Sequence, residues 1–184
     1  MSIYFTSDLH IGHDKDFLYE PRGFKNIKDH DLTIVNNWNS VVTDDDDIYI
    51  LGDLTLEDYD NGLSKLKLLK GKKHIIIGNH DTNFRVELYK ELTDDINYAD
   101  LVKYGKYQFY ISHYPTHTGN KDKHMSTQLI NLYGHTHQKT NFYNNDPFMY
   151  HVGLDSHNNF PVEIDEIISD IQKKKSGVSK DEGD

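Results

Sequence analysis

Five short clusters in this chain carry side chains that bind divalent metals: Asp8-Leu9-His10, Gly52-Asp53, Gly78-Asn79-His80-Asp81, Ser112-His113 and Gly134-His135-Thr136-His137. Asp8 and His10 stand two apart at the end of an apolar run, and alternate residues of an extended chain point to one side, so both can reach one ion. His135 and His137 repeat that spacing. A carboxylate such as Asp53 has two oxygens and can bridge two cations. Mixed imidazole, carboxylate and amide ligation suits Mn²⁺, Fe, Zn²⁺, Ni²⁺ or Co²⁺ better than Ca²⁺ or Mg²⁺, which favour all-oxygen shells. Two such ions about 3.5 Å apart clamp a phosphate and activate a water. Taken singly, each cluster has an ordinary reading: Gly-Asp is a turn, Gly-Asn-His-Asp an Asx-turn loop and a lone His a surface residue. Their joint occurrence after apolar runs is what points to a metal centre.

The elements that must position these residues are legible as short apolar runs: Ile3–Phe5, Ile48–Leu51, Ile75–Ile77, Phe109–Ile111 and Ile130–Tyr133. Continuous runs of this length suit strands covered on both faces. Helical patterns fall at Lys28–Val42, Asn61–Leu69 and Thr82–Leu92. The first places Ile27, Leu32, Ile34, Val35 and Trp38 on one expected buried face. Strand–helix alternation predicts an α/β layered domain. Leu101–Tyr104 and Tyr107–Ser112 flank Gly105-Lys106, a hairpin signal, and Phe148–Val152 and Pro161–Ile164 read as further strand segments. Two sheets packed face to face are expected, in a single domain over residues 1–172. Residues 173–184 are rich in Lys, Ser, Gly and Asp, which predicts a disordered tail.

At 184 residues the chain suits one domain with a real core. A net charge of −10 argues against tight duplex nucleic-acid binding through phosphate neutralisation. The absence of cysteine excludes disulfides, thiolate zinc and a cysteine nucleophile. No apolar stretch approaches the roughly 18–20 residues of a membrane span. With a first strand from Ile3 and no signal peptide expected before it, a cytoplasmic protein is predicted.

The order Asp-x-His, Gly-Asp, Gly-Asn-His-Asp, His and Gly-His-x-His resembles the calcineurin-like metallophosphoesterase superfamily, from about Ile3 to Ile168. Gly12-His13, Pro21-Arg22-Gly23-Phe24, Asn37-Trp38-Asn39, His113-Tyr114-Pro115 and Pro161-Val162 resemble its compact prokaryotic and phage-type branch. The resemblance implies a four-layer α/β/β/α sandwich of two mixed sheets with outer helices. It implies that Asp8, His10 and His137 hold a first metal, that Asp53 bridges, and that Asn79, His113 and His135 complete a second. His80 then faces the substrate and protonates the leaving oxygen. Two divalent or transition-metal ions are implied, Mn²⁺ being favoured over Fe, Zn, Ni or Co.

The expected reaction is hydrolysis of a phosphodiester, small or nucleotide-derived, by a metal-bridging hydroxide, with catalytic roles for His80 and Asp53. A phosphomonoesterase or nucleotide pyrophosphatase is the alternative, and a non-catalytic metal-binding scaffold a remote one. Many superfamily members have an Asp or His three residues after the bridging Asp; here that position is Leu56, so Asp81 and Asp53 are the candidates to orient His80. His13, Arg22 and Arg85 are candidate substrate contacts, each with a structural salt bridge or surface solvation as its ordinary alternative. The loop Tyr114–Ser126, with Lys121 and Lys123, is a candidate wall of the site. His117, His124, His151 and His157 exceed what a binuclear site needs, and Asp44–Asp47 reads as a solvated turn.

Overall fold

The β-branched and aromatic runs pair into two mixed sheets, and the polar clusters follow their ends. A computed structural model describes residues 1–57, 59–118 and 129–181. In chain order the elements are β1 (Ile3–Thr6), α1 (Asp16–Tyr19), α2 (Ile27–Val41), β2 (Asp47–Leu51), a π-helical turn (Tyr59–Leu63) running into α3 (Ser64–Leu66), β3 (Lys72–Ile76) and α4 (Asn83–Tyr89). There follow β4 (Ile96–Asn97), β5 (Ala99–Tyr104), β6 (Tyr107–Ser112), β7 (Ile130–Tyr133), β8 (Met149–His151), β9 (Val162–Glu163) and α5 (Ile164–Asp181).

The first sheet has the order β4-β3-β2-β1-β9 and the second β5-β6-β7-β8. Strands β1 to β4 run parallel, and β9 closes the first sheet antiparallel to β1. The β5–β6 hairpin turns at Gly105-Lys106 as its sequence predicts, and β7 and β8 add parallel to β6. Side-chain alternation splits the interior in two. Ile48, Ile50 and Ile75 face Ile34 and Trp38 of α2, Leu66 of α3 and Tyr89 of α4. Phe5, Leu51 and Ile76 face the opposite way, toward Phe109, Ile111, Ile130 and Leu132 of the second sheet. The chain is therefore an α/β fold of two face-packed mixed sheets with helices. Among the described residues no helix is long and apolar enough to cross a membrane.

Two expectations need correction. Leu32 lies on the outer side of α2 and is 61% exposed; the buried side is the His30–Ile34–Trp38 stripe at i, i+4 spacing, which also buries Asp31. Helix also extends into the segment expected to be a disordered tail, because α5 continues to Asp181. Ile167 and Ile171 anchor its first half in the inter-sheet core. Lys174 and Lys175 then lay their ammonium groups over Phe142 and Phe148 at 5.7 and 4.0 Å. The patterning missed the four-residue α1 and two-residue β4, which are too short to show a period.

Candidate metal centre

All seven residues with ligand chemistry follow the carboxyl ends of strands: Asp8 and His10 after β1, Asp53 after β2, Asn79 after β3, His113 after β6, and His135 and His137 after β7. The two sheets are stitched together at this edge. Ser7 bridges to Gly153 across the sheets, and His113 Nδ1 donates to the Leu51 carbonyl at 2.8 Å. The crossing needs Gly52, whose φ is +90° and where a Cβ would stand 2.5 Å from His113 Nδ1 and 2.7 Å from Gly78 Cα.

Convergence is achieved by a backbone the sequence spacing did not anticipate. Asp8, His10, Asp53, His135 and His137 all adopt left-handed conformations, with φ of +57°, +48°, +58°, +67° and +49°. Alternate residues of an extended strand therefore do not explain the Asp-x-His and His-x-His pairs. In each pair both members instead take the left-handed conformation, and Asp8 and His10 do so while their amides donate to the carbonyls of Gly52 and Asp53 at 3.0 Å. Such conformations cost on the order of 1–3 kcal/mol each and persist where the surrounding structure over-determines them.

The side chains at these strand ends point nitrogen and oxygen atoms at one another. His113 Nδ1 donates to a carbonyl, and its Nε2 lies 2.8 Å from Asn79 Oδ1 and 3.6 Å from Asp53 Oδ2. His137 Nδ1 donates to Asp155 Oδ2 at 2.9 Å, which points its Nε2 toward His10 Nε2 at 3.2 Å and Asp8 Oδ1 at 3.8 Å. Asp8 Oδ1 is buried and has no hydrogen-bond partner among the described residues. Its other oxygen accepts from Ser7 Oγ at 2.6 Å and the His135 amide at 2.8 Å. Burial, reinforced by His137 and Arg22, pushes His10 down to about 2 and keeps it neutral. Burial also lifts the Asp53 carboxyl above its usual range against the pull of His113 and the His80 amide. A divalent cation among these atoms would take their lone pairs and give the buried Asp8 Oδ1 a partner. Two triads meet the geometry of a metal group, Asp8–His10–His137 and Asp8–Asp53–His113.

Residues 1–172 match the Calcineurin-like phosphoesterase superfamily domain. The chain belongs to this superfamily. It is 31% identical over 187 residues to an uncharacterized protein of Methanocaldococcus jannaschii, covering 94% of this chain and 93% of that protein. The Gene 66 protein of Mycobacterium phage D29 is likewise 31% identical, over 198 residues, covering 94% and 98%. A crystal structure of a protein of unknown function from Aquifex aeolicus shares the fold, with a TM-score of 0.67 at 22% identity over 91% of this chain and 98% of that one.

Around the candidate metal groups, some candidate residues sit where substrate could meet them and others do not. The His80 side chain is exposed beside the metal groups, its ring centroid 5.5 Å from that of His10. Its backbone is clamped from both sides: its amide donates to Asp53 Oδ1 at 2.8 Å, and its carbonyl accepts from Arg85 at 2.9 Å. Asp81 is buried and does different work, accepting from the amides of Asp53 and Gly78 at 2.8 Å and from the Tyr89 hydroxyl at 2.8 Å. Of the two candidates to orient His80, Asp53 thus holds its amide. His13 joins His10, His80 and His137 around a pocket of about 450 Å³. Arg85 is spent on the carbonyls of His80 and Leu56.

Arg22, a candidate substrate contact, lies underneath the site with its side chain fully buried. It makes a two-pronged pair with Asp155 at 3.1 and 2.8 Å and donates to the Asp8 carbonyl at 2.8 Å. It is the structural ion pair that was its ordinary alternative. Sequence reasoning missed Asp155, since an Asp two residues past a glycine carries no signal of its own. His151 and His157 are internal: His151 bonds Ser156 Oγ at 2.8 Å, and His157 Nε2 donates to the His151 carbonyl at 2.9 Å. His117 is exposed in the loop after His113. His124, Lys121 and Lys123 lie outside the described residues.

Proposed function

We propose that this chain is a binuclear metal-dependent phosphodiesterase acting on a small or nucleotide-derived ester. The observation that carries it is the convergence of side-chain nitrogen and oxygen atoms in the groups Asp8–His10–His137 and Asp8–Asp53–His113, with Asp8 Oδ1 buried and without a hydrogen-bond partner among the described residues. Asp8, His10 and His137 would hold one ion and Asn79, His113 and His135 the other. Asp53 suits a bridge, its Oδ2 standing 3.7 Å from His10 Nε2 and 3.6 Å from His113 Nε2. The ions, of which Mn²⁺ is the favoured identity, would supply Lewis acidity toward phosphate oxygens and make a water more acidic.

The protein's own groups divide the remaining work. His80, fixed at its backbone and free at its ring, carries the proton to the departing alkoxide as the P–O bond breaks. Asp53 sets the position of His80 through the amide contact. A diester rather than a monoester is favoured by the pocket's charge: with Arg22 buried and Arg85 committed to carbonyls, Lys139 is, among the described residues, the Lys or Arg side chain lining it. That suits one negative charge on the substrate better than two.

Metal analysis of the purified protein, followed by hydrolysis of bis-p-nitrophenyl phosphate and p-nitrophenyl phosphate with Mn²⁺, tests the assignment. Close to two metals per chain and faster turnover of the diester are expected. Asp53→Asn should lose metal and activity together. His80→Ala should keep its metal and lose about 10²–10⁴-fold in rate on esters with poor leaving groups. A protein that takes up no metal sinks the assignment. Occupied metal with no turnover of any ester would leave the scaffold alternative.

A further inference from the structure

The 450 Å³ pocket reaches beyond the histidines to a wall that metal chemistry does not require, made by Phe17, Leu18, Pro21 and Lys139. We propose that this wall is a subsite for a nucleobase carried on the leaving side of the ester, with Phe17 as its stacking surface. The proposal rests on the phosphodiesterase reading and deepens it. Phe17 is 73% exposed and sits on the short α1, where it belongs to neither core cluster but lines this pocket. It is held at the rim by an edge contact, its ring centroid 5.6 Å from that of His13 at an interplanar angle of 85°.

Spacing favours a nucleoside over a bare aryl ester. His13 touches both rings, its centroid 5.5 Å from that of His10 and 5.6 Å from that of Phe17, while His10 and Phe17 themselves form no ring contact among the described residues. A phosphate at the metal groups is thus separated from the Phe17 ring by the width of an intervening imidazole, the reach that a pentose provides between phosphate and base. The volume lies within the roughly 300–1,000 Å³ typical of small-molecule sites. Lys139 is tethered by donating to the Pro21 carbonyl at 2.7 Å, which holds its ammonium at the rim with donors to spare for a base or ribose oxygen. Asp155, the pocket's carboxylate, is neutralised by Arg22 and so does not repel an anionic ligand. His80 lines the same pocket, which places the base on the side where the proton is delivered.

Competitive inhibition of bis-p-nitrophenyl phosphate hydrolysis by adenosine 5′-monophosphate and by ribose 5-phosphate measures what the base adds. Stacking of one base predicts about 5- to 100-fold tighter inhibition by the nucleotide. Phe17→Ala should collapse that preference and Phe17→Trp should retain it. Phe84→Ala, an exposed ring away from this pocket, should leave it intact. In the metal-free protein, adenosine alone should shift the NMR resonances of the Phe17 ring. Equal inhibition by the two ligands, or a Phe17→Ala variant with full preference, overturns the subsite while diester turnover leaves the phosphodiesterase reading standing. Loss of turnover and of metal in the wild type would overturn both together.

Discussion

Replacing Asp155 by Asn tests whether the pair beneath the metal centre fixes the ligands above it. Asp155 is 5% exposed and accepts three hydrogen bonds, one from His137 Nδ1 and two from an Arg22 side chain that is fully buried. The amide keeps the shape and removes the charge, leaving a guanidinium without its counter-ion. Breaking a buried pair from one side costs about 3–5 kcal/mol. The low end applies here, because Arg22 keeps its bond to the Asp8 carbonyl at 2.8 Å and its contact with His30 Nε2 at 3.0 Å. A loss of about 3 kcal/mol, with a urea slope of about 2 kcal/mol/M, moves the unfolding midpoint down by roughly 1.5 M. The lost acceptor also frees the His137 ring, for which a weakening of metal affinity by about 10–100-fold is expected. Urea titration of the metal-free protein and metal competition against a chelator read the two effects separately. The double variant Arg22→Met/Asp155→Leu should regain most of the stability, since apolar replacement of a buried pair is often neutral, but none of the metal affinity. An Asp155→Asn protein with wild-type midpoint and wild-type affinity would refute the reasoning. A lowered midpoint with intact affinity would refute the positioning of His137 alone.

Two further outcomes follow from other parts of the molecule. Burial pulls the pKa of His74 down, but its hydrogen bonds to Asp47 and Asp95, at 3.0 and 2.5 Å, outweigh this and raise it above 6.5. A folded pKa above the unfolded one stabilises fully below the unfolded value and fades as pH rises through the folded value. The urea-midpoint gap between wild type and His74→Gln should therefore be constant in mild acid and narrow above it; a gap that widens with pH contradicts the pairing. Gly52→Ala places a Cβ against His113 Nδ1 in a left-handed backbone, so a loss of at least about 2 kcal/mol is expected together with weaker metal binding. Wild-type unfolding and metal content in that variant would show that the sheets can part there without cost.

The metal groups were legible because their chemistry resides in residue type. Asp8, His10, Asp53, Asn79, His113, His135 and His137 each follow an apolar run, and β-branched runs form strands whatever lies beyond them. Helix α2 shows the limit of such patterning. Its period was correct, yet Leu32 was assigned to the core because hydrophobicity alone cannot reveal that His30 and Asp31 are drawn inside by Arg22 and Lys65. Arg22 shows the same limit from the other side: an arginine near a phosphate site reads as a substrate contact until its partner is found 133 residues away.

By itself, then, the sequence determined which residues are candidate donors, the strands that carry them and the superfamily, since these depend on local composition and order. Only the tertiary structure decided how the donors meet. The left-handed turns at five of them are imposed by contacts between strand ends, with Gly52 admitting His113 and Gly134 admitting Asp8, where a Cβ would approach Asp8 Oδ2 to 2.6 Å. Those contacts join two sheets whose residues are far apart in the chain. Backbone conformation that neighbours force upon a residue leaves no mark in that residue's own propensity.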